Sequence, residues 1–307
     1  MADSMNVFDR SLVRRHRDRA VGTLPGADFL LREGAARLAD RLFDVARDFP
    51  LAIDIGCHTG QVGLELKGHP KIGNMFQCDM SPRLALAARL NSPIATFAAD
   101  EESLPLAPAS LDLVISNLAL HWVNDLPGAL VQMRQALKPD GLFLATMFGT
   151  ETLRELRTAL MEAETETMGG VTPRVSPFVD VRDAGNLLTR AGFALPVVDA
   201  ENVTVTYTDM FKLMSDLRGM AQTNAVHARH RKPTPRMTFL RAAAIYAERY
   251  AATNGRIPAT FQLVTLTAWA PHASQQKPLR PGSAKTSLAA ALDSTEQPTG
   301  DSIPKPH

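Results

Sequence analysis

A run of acidic and glycine residues lies near the start of the chain, where residues 51–60 read Leu-Ala-Ile-Asp-Ile-Gly-Cys-His-Thr-Gly. Asp54 lies in an apolar run that predicts a buried parallel strand, and Gly56 and Gly60 follow it. Glycine adopts backbone angles that other residues avoid, so this turn lets the main chain approach a ligand closely. The run therefore predicts a nucleotide-type cofactor site, with Asp54 facing the crevice at the strand end.

The spacing of these residues lacks the G-x-G-x-x-G of a Rossmann dinucleotide fingerprint, and no phosphate loop is present. The pattern D-x-G-x-x-x-G over Asp54, Gly56 and Gly60 resembles motif I of the class I S-adenosylmethionine-dependent methyltransferases. The resemblance implies that this turn, with Cys57, wraps the methionine part of S-adenosyl-L-methionine. His58 stands where family members usually have a second glycine, and it either narrows the pocket or requires ordinary backbone angles. The alternative is a structural strand, turn and helix without a ligand.

Acidic residues follow the next two predicted strands as well. Asp79 and Met80 come at the end of the second strand, and Asp100 and Glu101 come after the third. Asp79 is the candidate for the ribose of the cofactor. A carboxylate suits this role, because the two neighbouring ribose hydroxyls offer two donors to its two oxygens. The resemblance places the residues after the third strand near the adenine amino group. Single acids at strand ends are often solvated caps, but acids at successive strand ends favour a cofactor site.

Four polar or aromatic residues follow the fourth predicted strand: Asn117, His121, Trp122 and Asp125. The carboxyl ends of strands in open α/β sheets border the ligand crevice. Methyl transfer chiefly needs a positioned nucleophile, so Asn117, His121 and Trp122 are the candidate catalytic residues, with Asn117 also a cofactor contact. His121 is a candidate base, although it could instead cap a helix while Trp122 packs over the cofactor. His121 and Asp125 lack a third ligand, so we predict no metal site.

Strands and helices alternate along the chain in the order that predicts a parallel sheet. Predicted strands cover residues 52–55, 74–78, 94–98, 111–116, 142–147, 203–207 and 262–269. Predicted helices cover residues 6–19, 30–46, 62–66, 83–90, 126–137, 152–166 and 183–191. Residues 138–141, Lys-Pro-Asp-Gly, predict a turn, and the last two strands predict an antiparallel pair. The predicted fold class is α/β, a Rossmann-like seven-stranded methyltransferase fold with an antiparallel last strand.

The chain divides by composition into three predicted regions. Residues 1–50 form an N-terminal helical segment, and residues 51–271 form the cofactor-binding domain, with a helical insertion at about 210–250 that residues 232–235 interrupt. Residues 272–307 have five prolines and no aromatic residue, which predicts a mostly disordered tail. Arg174 and Ser176 lie in a Gly- and Pro-rich loop that either closes over a substrate or only connects elements.

Composition excludes several classes of protein. A net charge of +1 gives no strong field, so no nucleic-acid partner is expected. The two cysteines, Cys57 and Cys78, have no metal-ligand spacing and predict buried, reduced thiols. No signal peptide or run of 18 apolar residues occurs, so we predict a cytoplasmic protein without a membrane span, which is compatible with peripheral membrane association.

A basic run at residues 226–232 offers a docking surface for an acidic protein face, although such runs are more often solvated helix ends. His227 and His230 have a spacing that suits a metal, but a solvated pair is the simpler interpretation.

A closer resemblance extends over roughly residues 5–290. Its segments are residues 6–12, 117–126, 138–141, 147–149, 169–178, 187–193, 258–262 and 280–284. Together they are similar to the mitochondrial complex I assembly factors of methyltransferase fold and their bacterial relatives. The resemblance implies an S-adenosylmethionine-binding protein that hydroxylates an arginine of a quinone-site complex I subunit. More distant relatives methylate the carboxyl of a malonyl thioester.

Three functions stay open at this point. The first is an enzyme that hydroxylates or methylates a protein during complex I assembly. The second is a methyltransferase for a small molecule or a malonyl thioester carboxyl, and the third is a non-catalytic assembly module in which His58 marks lost catalysis. Hydroxylation needs an oxidant, and the sequence has no complete set of two histidines and one carboxylate for iron. Methyl transfer needs only the cofactor and a placed substrate.

Overall fold

The computed structural model describes residues 6–276, 283 and 286–295. The described residues up to His272 belong to one compact unit, and those after it belong to a second. The second unit contains a short helix, Leu288–Ala291. Residues 277–282, 284–285 and 296–307 of the tail that is predicted to be disordered lie outside the described residues.

A seven-stranded sheet with the order β3-β2-β1-β4-β5-β7-β6 forms the centre of the first unit. The strands are β1 (Phe49–Ile55), β2 (Ile72–Asp79), β3 (Ala95–Ala98), β4 (Leu111–Asn117), β5 (Leu137–Phe148), β6 (Ala194–Tyr207) and β7 (Ile257–Trp269). β7 runs antiparallel to β5 and β6, and the other neighbouring pairs are parallel. The structure confirms the predicted fold class and the antiparallel pair.

Nine helices of the first unit surround the described sheet, and most begin where the sequence offers a cap. They are α1 (Arg10–Ala20), α2 (Phe29–Asp44), α3 (Gln61–Glu65), α4 (Pro82–Asn91), α5 (Leu126–Ala136), α6 (Arg154–Met168), α7 (Val181–Arg190), α8 (Met210–Gly219) and α9 (Arg236–Tyr250). Side chains of Asp9, Ser81, Asp125, Asp180 and Asp209 accept a hydrogen bond from the first turn of α1, α4, α5, α7 and α8. Such caps satisfy main-chain donors that a helix start leaves unpaired.

The central strands are apolar on both faces, as parallel strands covered by helices must be. On one face, Leu38 and Leu42 of α2 belong to a cluster with Leu113 of β4. On the other face, Leu130 of α5 belongs to a cluster with Ile53 and other strand residues. Burial on both faces fixes the register of β1 against β2 and β4, and so it places the residues that follow these strands at one edge of the sheet.

Three predicted boundaries are wrong. Residues 138–141 belong to β5 rather than to a turn, because Leu137 already pairs with Leu111 while Leu142 pairs with Leu113. The register shifts between these pairs, and Asp140 in the same segment has a positive φ of 63°. The turn-like sequence therefore forms a bulge within β5. β6 begins at Ala194 rather than at residue 203, because β7 pairs with it over nearly its whole length. The predicted interruption of the insertion at residues 232–235 is too short, because its two helices, α8 and α9, are separated by residues 220–235.

Candidate functional site

The turn between β1 and α3 lies close to the main chain of neighbouring elements. Gly56 and Gly60 have φ angles of 74° and 88°, and an added Cβ at Gly56 would come within 2.2 Å of the Ala119 Cβ. The amides of Gly56 and Cys57 donate to the carbonyl of Cys78 at 2.8 and 2.9 Å. These contacts hold the turn against the end of β2 and the loop after β4, and the close approach to a ligand stays a prediction.

Acidic side chains are buried at the ends of β1 and β2 and just after β3. Asp54 and Asp79 are fully buried, and Glu101 is 1% exposed. The side chain of Asp100 is 42% exposed and lies at the rim. Of the two acids predicted after the third strand, Glu101 is therefore the one that lies inside the cluster.

Two arginines of α1 neutralise these acids. The Nη1 of the buried Arg17 lies 2.7 Å from the Oε1 of Glu101 and 3.3 Å from the Oδ1 of Asp79. Arg10 pairs with Asp100 and with Glu101. The sequence interpretation missed both residues, although the signal was present: residues 10, 13, 17 and 20 lie on one face of a helix, and two of them are arginines.

The acids have different electrostatic environments. Burial raises the pKa of Asp54 well above its usual value, and the neighbouring Asp79 raises it further. Burial also raises the pKa of Asp79, although Arg17 lowers it in part. Burial raises the pKa of Glu101 as well, but Arg17 and Arg10 outweigh this effect, so its pKa lies below the usual value. Glu101 is thus the ionised partner of the arginines, whereas burial and the neighbouring Asp79 oppose ionisation of Asp54.

His58 crosses the crevice between the turn and the end of β4. Its φ is 52°, so it does not have ordinary backbone angles. Its Nε2 lies 3.1 Å from the carbonyl oxygen of Asn117 and 3.3 Å from that of Leu118, and because both are acceptors this nitrogen must have the proton. Burial, with help from Arg17, lowers the pKa of His58 to about 3. Its amide donates to the Oδ2 of Asp79 at 3.1 Å.

The side chain of Asn117 points toward α2 and β5. Its Nδ2 donates to the carbonyl of Leu31 at 2.7 Å, and its Oδ1 accepts from the hydroxyl of Thr146 at 2.7 Å. A Cβ at Gly34 would lie 2.3 Å from this Oδ1, so α2 comes close to the sheet here. These bonds connect α2 to the sheet. The contact of Asn117 with His58 is made by its main-chain carbonyl. Its catalytic role stays a prediction.

His121 and Trp122 lie in a short 3₁₀ helix, Leu120–Trp122, and both are buried. The Nε1 of Trp122 and the Nε2 of His121 each lie 3.1 Å from the Oε1 of Gln222. Gln222 follows α8 in the insertion, and nothing in its sequence neighbourhood singles it out. The structure therefore joins the segment after β4 to the insertion through one amide.

The N-terminal segment and the loop after α8 together cover the strand ends. The amide of Asp9 donates to the carbonyl of Ala225 at 2.8 Å, and the amide of His227 donates to that of Val7 at 2.9 Å. Beneath these bonds lies an apolar cluster, which includes Phe8, Val13, Met80, Trp122 and Val226. We call residues 7–20 and 222–229 the cover. Met80, predicted at the cofactor site, packs under it.

A cavity of about 270 Å³ lies beside Trp122, between β5, α6 and the insertion. Phe148, Phe178 and Phe261 are among its apolar walls, and none of its lining residues is acidic. Its basic lining residues are Arg174, Arg218, Arg229 and His230. Arg174 is held by Glu164, whose Oε1 lies 2.7 Å from its Nε. Arg174 and Ser176 of the Gly-rich loop thus border the cavity, and closure of this loop over a substrate stays a prediction.

Other features of the sequence have simple structural outcomes. Cys57 and Cys78 are free and buried, as predicted. Among the described residues, no group of three or more histidine, cysteine or acidic side chains converges on a metal position. No described helix combines the length and the apolar composition that a bilayer crossing requires.

The fold and the strand-end site define a class of protein. A methyltransferase domain family matches residues 53–145. The crystal structure of the YcgJ protein from Bacillus subtilis has a TM-score of 0.55 at 14% identity, covering 77% of this chain and 99% of that one. A putative methyltransferase from Bacillus halodurans has a TM-score of 0.54 at 14% identity, covering 76% of this chain and 99% of that one. The chain is an enzyme with the class I methyltransferase fold.

Sequence similarity narrows the class. The chain is 46% identical to the arginine-hydroxylase NDUFAF5, mitochondrial, of Danio rerio over 93% of this chain and 89% of that protein, and 44% identical to that of Homo sapiens over 93% and 83%. A malonyl-[acyl-carrier protein] O-methyltransferase of a Methylovorus species is 37% identical over 87% and 91%. The chain belongs to the arginine-hydroxylase NDUFAF5 family. The prediction of a cytoplasmic location is wrong, because the names of these family members place them in mitochondria.

Proposed function

We propose that this chain is an S-adenosyl-L-methionine-dependent enzyme that modifies an arginine side chain of a protein during the assembly of respiratory complex I. The observation that carries this proposal is 46% identity, over 93% of the chain, to a relative named as an arginine-hydroxylase. The strand-end acids and the adjoining cavity support it, because they offer a cofactor site and a substrate site side by side. The expected protein partner is the quinone-site subunit that the resemblance implies.

Several buried polar atoms at the strand ends lack a hydrogen-bond partner among the described residues. They include both carboxyl oxygens of Asp54, the Nη2 of Arg17 and the Nδ1 of His58. Buried polar atoms normally have partners, so this set fits a polar ligand. S-adenosyl-L-methionine offers an ammonium for Asp54, a carboxylate for Arg17 and ribose hydroxyls for Asp79. The proposed cofactor-binding set also includes Gly56, Cys57, Gly60, Met80, Asp100, Glu101 and Asn117.

The residues around the cofactor site have separate tasks in this proposal. When bound, the cofactor supplies a methyl group on a positively charged sulfur. His121 and Trp122 position the substrate beside it, the main-chain carbonyl of Asn117 holds His58, and the cover excludes water. Arginine hydroxylation also requires an oxidant. Among the described residues, no group of three or more histidine, cysteine or acidic side chains could hold a metal ion to activate one. Methylation requires no further reagent. The two outcomes are separable by mass, because the substrate gains one oxygen in hydroxylation and one methylene in methylation.

The basic cavity supports a second function. None of the cavity's lining residues is acidic, and the exposed Arg218 has no ion-pair partner among the described residues. This lining favours an anionic substrate, such as the carboxyl of a malonyl thioester. The Methylovorus relative is named for such a substrate. Methyl transfer to a carboxylate is therefore the second candidate.

Cofactor binding is tested by calorimetry with S-adenosyl-L-methionine. We expect the wild-type chain to bind and the Asp79→Asn variant to bind at least tenfold more weakly, because an amide accepts fewer hydrogen bonds from the ribose. Asp199→Asn is the matched control, since Asp199 pairs with Arg41 at the far edge of the sheet. Absence of binding by the wild type at millimolar cofactor would contradict the proposal.

The reaction is tested by mass spectrometry of the quinone-site subunit from cells that express the wild type or the Asp79→Asn variant. A gain of one oxygen on an arginine supports hydroxylation, and a gain of one methylene supports methylation. An unmodified subunit in wild-type cells would contradict modification of this partner and leave the carboxyl methyltransferase as the candidate.

A further inference from the structure

Gln222 has a defined amide orientation. Its Oε1 lies 3.1 Å from the Nε1 of Trp122. An indole nitrogen only donates, so the atom that faces it must be the amide oxygen rather than the amide nitrogen. The contact with Trp122 therefore fixes which end of the Gln222 amide points to the segment after β4.

This orientation determines the tautomer of His121. The same Oε1 lies 3.1 Å from the Nε2 of His121, and because this oxygen only accepts, Nε2 must have the proton. Burial lowers the pKa of His121 to about 3, although the bond to Gln222 raises it in part. The ring is thus neutral at physiological pH. A neutral imidazole with a proton on Nε2 has a lone pair on Nδ1.

The Nδ1 of His121 is buried and has no hydrogen-bond partner among the described residues. The ring lies 4.9 Å from that of Phe148 and 6.0 Å from that of Phe178, measured between centroids. Both phenylalanines line the cavity, whereas His121 does not, so the imidazole lies just behind the cavity wall. Apolar neighbours cannot satisfy a lone pair, and a buried acceptor without a donor is costly. The arrangement leaves one hydrogen bond for a ligand to make.

We propose that Gln222 is a positioning residue that fixes His121 in the Nε2–H tautomer, so that Nδ1 accepts a hydrogen bond from an N–H or O–H group of the substrate. This inference rests on the proposed function and narrows it. The substrate presents a donor, such as a guanidinium N–H, at His121, because a lone pair repels the oxygens of an ionised carboxylate. The donor at His121 favours arginine modification, whereas the basic lining of the cavity favours an anion, so the two observations support different candidates.

The tautomer is measured by long-range ¹H–¹⁵N NMR on the full chain with ¹⁵N-labelled histidine, with His121 assigned by the signal that His121→Gln removes. We expect the Nε2–H form in the wild type. Gln222→Met removes the acceptor at similar length, so we expect the Nδ1–H form to appear. Trp122→Phe removes the donor that orients the Gln222 amide, so the Nδ1–H form should appear in this variant as well. An Nδ1–H wild type, or a Gln222→Met variant with only Nε2–H, would overturn the proposal.

Gln222→Glu tests the same contact if Gln222→Met does not fold. A carboxylate still accepts from Nε2, so the tautomer should persist, and the pKa of His121 should rise by about one to three units. An unchanged pKa would show that residue 222 does not bond to this ring in solution. If Gln222 had only a structural role, its substitution would change the stability of the fold but neither the tautomer nor the pKa of His121.

The substrate class is tested on the same NMR signal. N-acetyl-arginine amide should shift the Nδ1 resonance of His121 in the direction of a hydrogen-bonded acceptor, and N-acetyl-glutamate should not. No shift with the arginine probe up to its solubility limit would overturn the donor assignment. The tautomer is measured without cofactor or substrate, so its failure is distinct from failure of the proposed function, which the calorimetry with S-adenosyl-L-methionine reports.

Discussion

At the scale of single residues, buried charge dominates the site. Arg17 is 1% exposed and lies between two buried carboxylates, those of Asp79 and Glu101. Taking charges out of water is costly, so each member of such a group depends on the others. The unpaired Nη2 of Arg17 leaves one donor for a ligand. The same arginine therefore stabilises the apo site and offers an anion contact.

Removing the Arg17 charge should destabilise the fold strongly. We expect Arg17→Met to lower the free energy of unfolding by about 3–5 kcal/mol, because it leaves Asp79 and Glu101 buried with less compensation. Arg41→Met is the control: Arg41 and its partner Asp199 are each about one-third exposed, and their separation should cost less than about 1 kcal/mol. Urea unfolding at neutral pH measures both. Equal effects would mean that Arg17 is solvated.

The buried His58 should make stability depend on pH. Its pKa is about 3 in the folded chain and about 6.5 in the unfolded chain. Between these values the unfolded state binds more protons, so the contribution of His58 to stability falls as the pH falls from 6.5 toward 3. Relative to His58→Gln, the wild type should lose about 2 kcal/mol between pH 7 and pH 5. Urea unfolding of both proteins at each pH gives this difference, which should be constant above pH 7.

At the scale of elements, the turn between β1 and α3 combines two constraints. Gly56 needs a positive φ, and it also lies against Ala119 of the loop after β4. The cover is the second functional element, since its bonds from Asp9 to Ala225 and from His227 to Val7 cross over the strand ends. The turn borders the proposed cofactor site, and the cover lies over it.

The two constraints at Gly56 are separable by a matched pair of substitutions. Gly68 has a φ of 76° and open space around its Cβ position, whereas Gly56 has a φ of 74° and Ala119 at 2.2 Å. Gly68→Ala should cost about 1–2 kcal/mol from backbone strain alone. Gly56→Ala should cost about 1–3 kcal/mol more through overpacking. Thermal unfolding compares them, and equal losses would show that the β4 loop yields to the methyl group.

At the scale of the whole molecule, the strand order brings the residues of the proposed site together. β1 lies between β2 and β4, so their carboxyl ends meet at one edge, where open α/β sheets bind ligands. β7 and β6 extend the other side of the sheet, and β7 borders the cavity together with the insertion. The proposed cofactor site therefore lies at the strand ends beneath the cover, and the cavity lies beside Trp122.

Cofactor binding should slow hydrogen exchange in the cover as well as in the turn. If ligand and cover close on one another, the amides of Arg10–Ala20 and of residues 225–227 should exchange more slowly with S-adenosyl-L-methionine, together with residues 56–60. Ala194–Tyr207 is the internal control at the far edge of the sheet. Exchange by mass spectrometry measures all of these segments. Protection confined to residues 56–60 would contradict a closing role for the cover.

The sequence by itself determined the sheet, the turn and two of the acids. Asp54, Gly56 and Gly60 form one continuous motif, and Asp79 ends the next strand, so local pattern sufficed. The predicted turn at residues 138–141 failed, because pairing with β4 and β7 outweighs turn-forming sequence.

Only the tertiary structure decided which side chains complete the site. Arg17 lies 62 residues before Asp79 in the chain, and Gln222 lies 101 residues after His121, so no local pattern joins either pair. The tautomer of His121 likewise depends on a single oxygen that a distant loop places. Sequence periodicity determines which face of an element is buried, whereas the partner of a buried polar atom depends on packing between elements far apart in the chain.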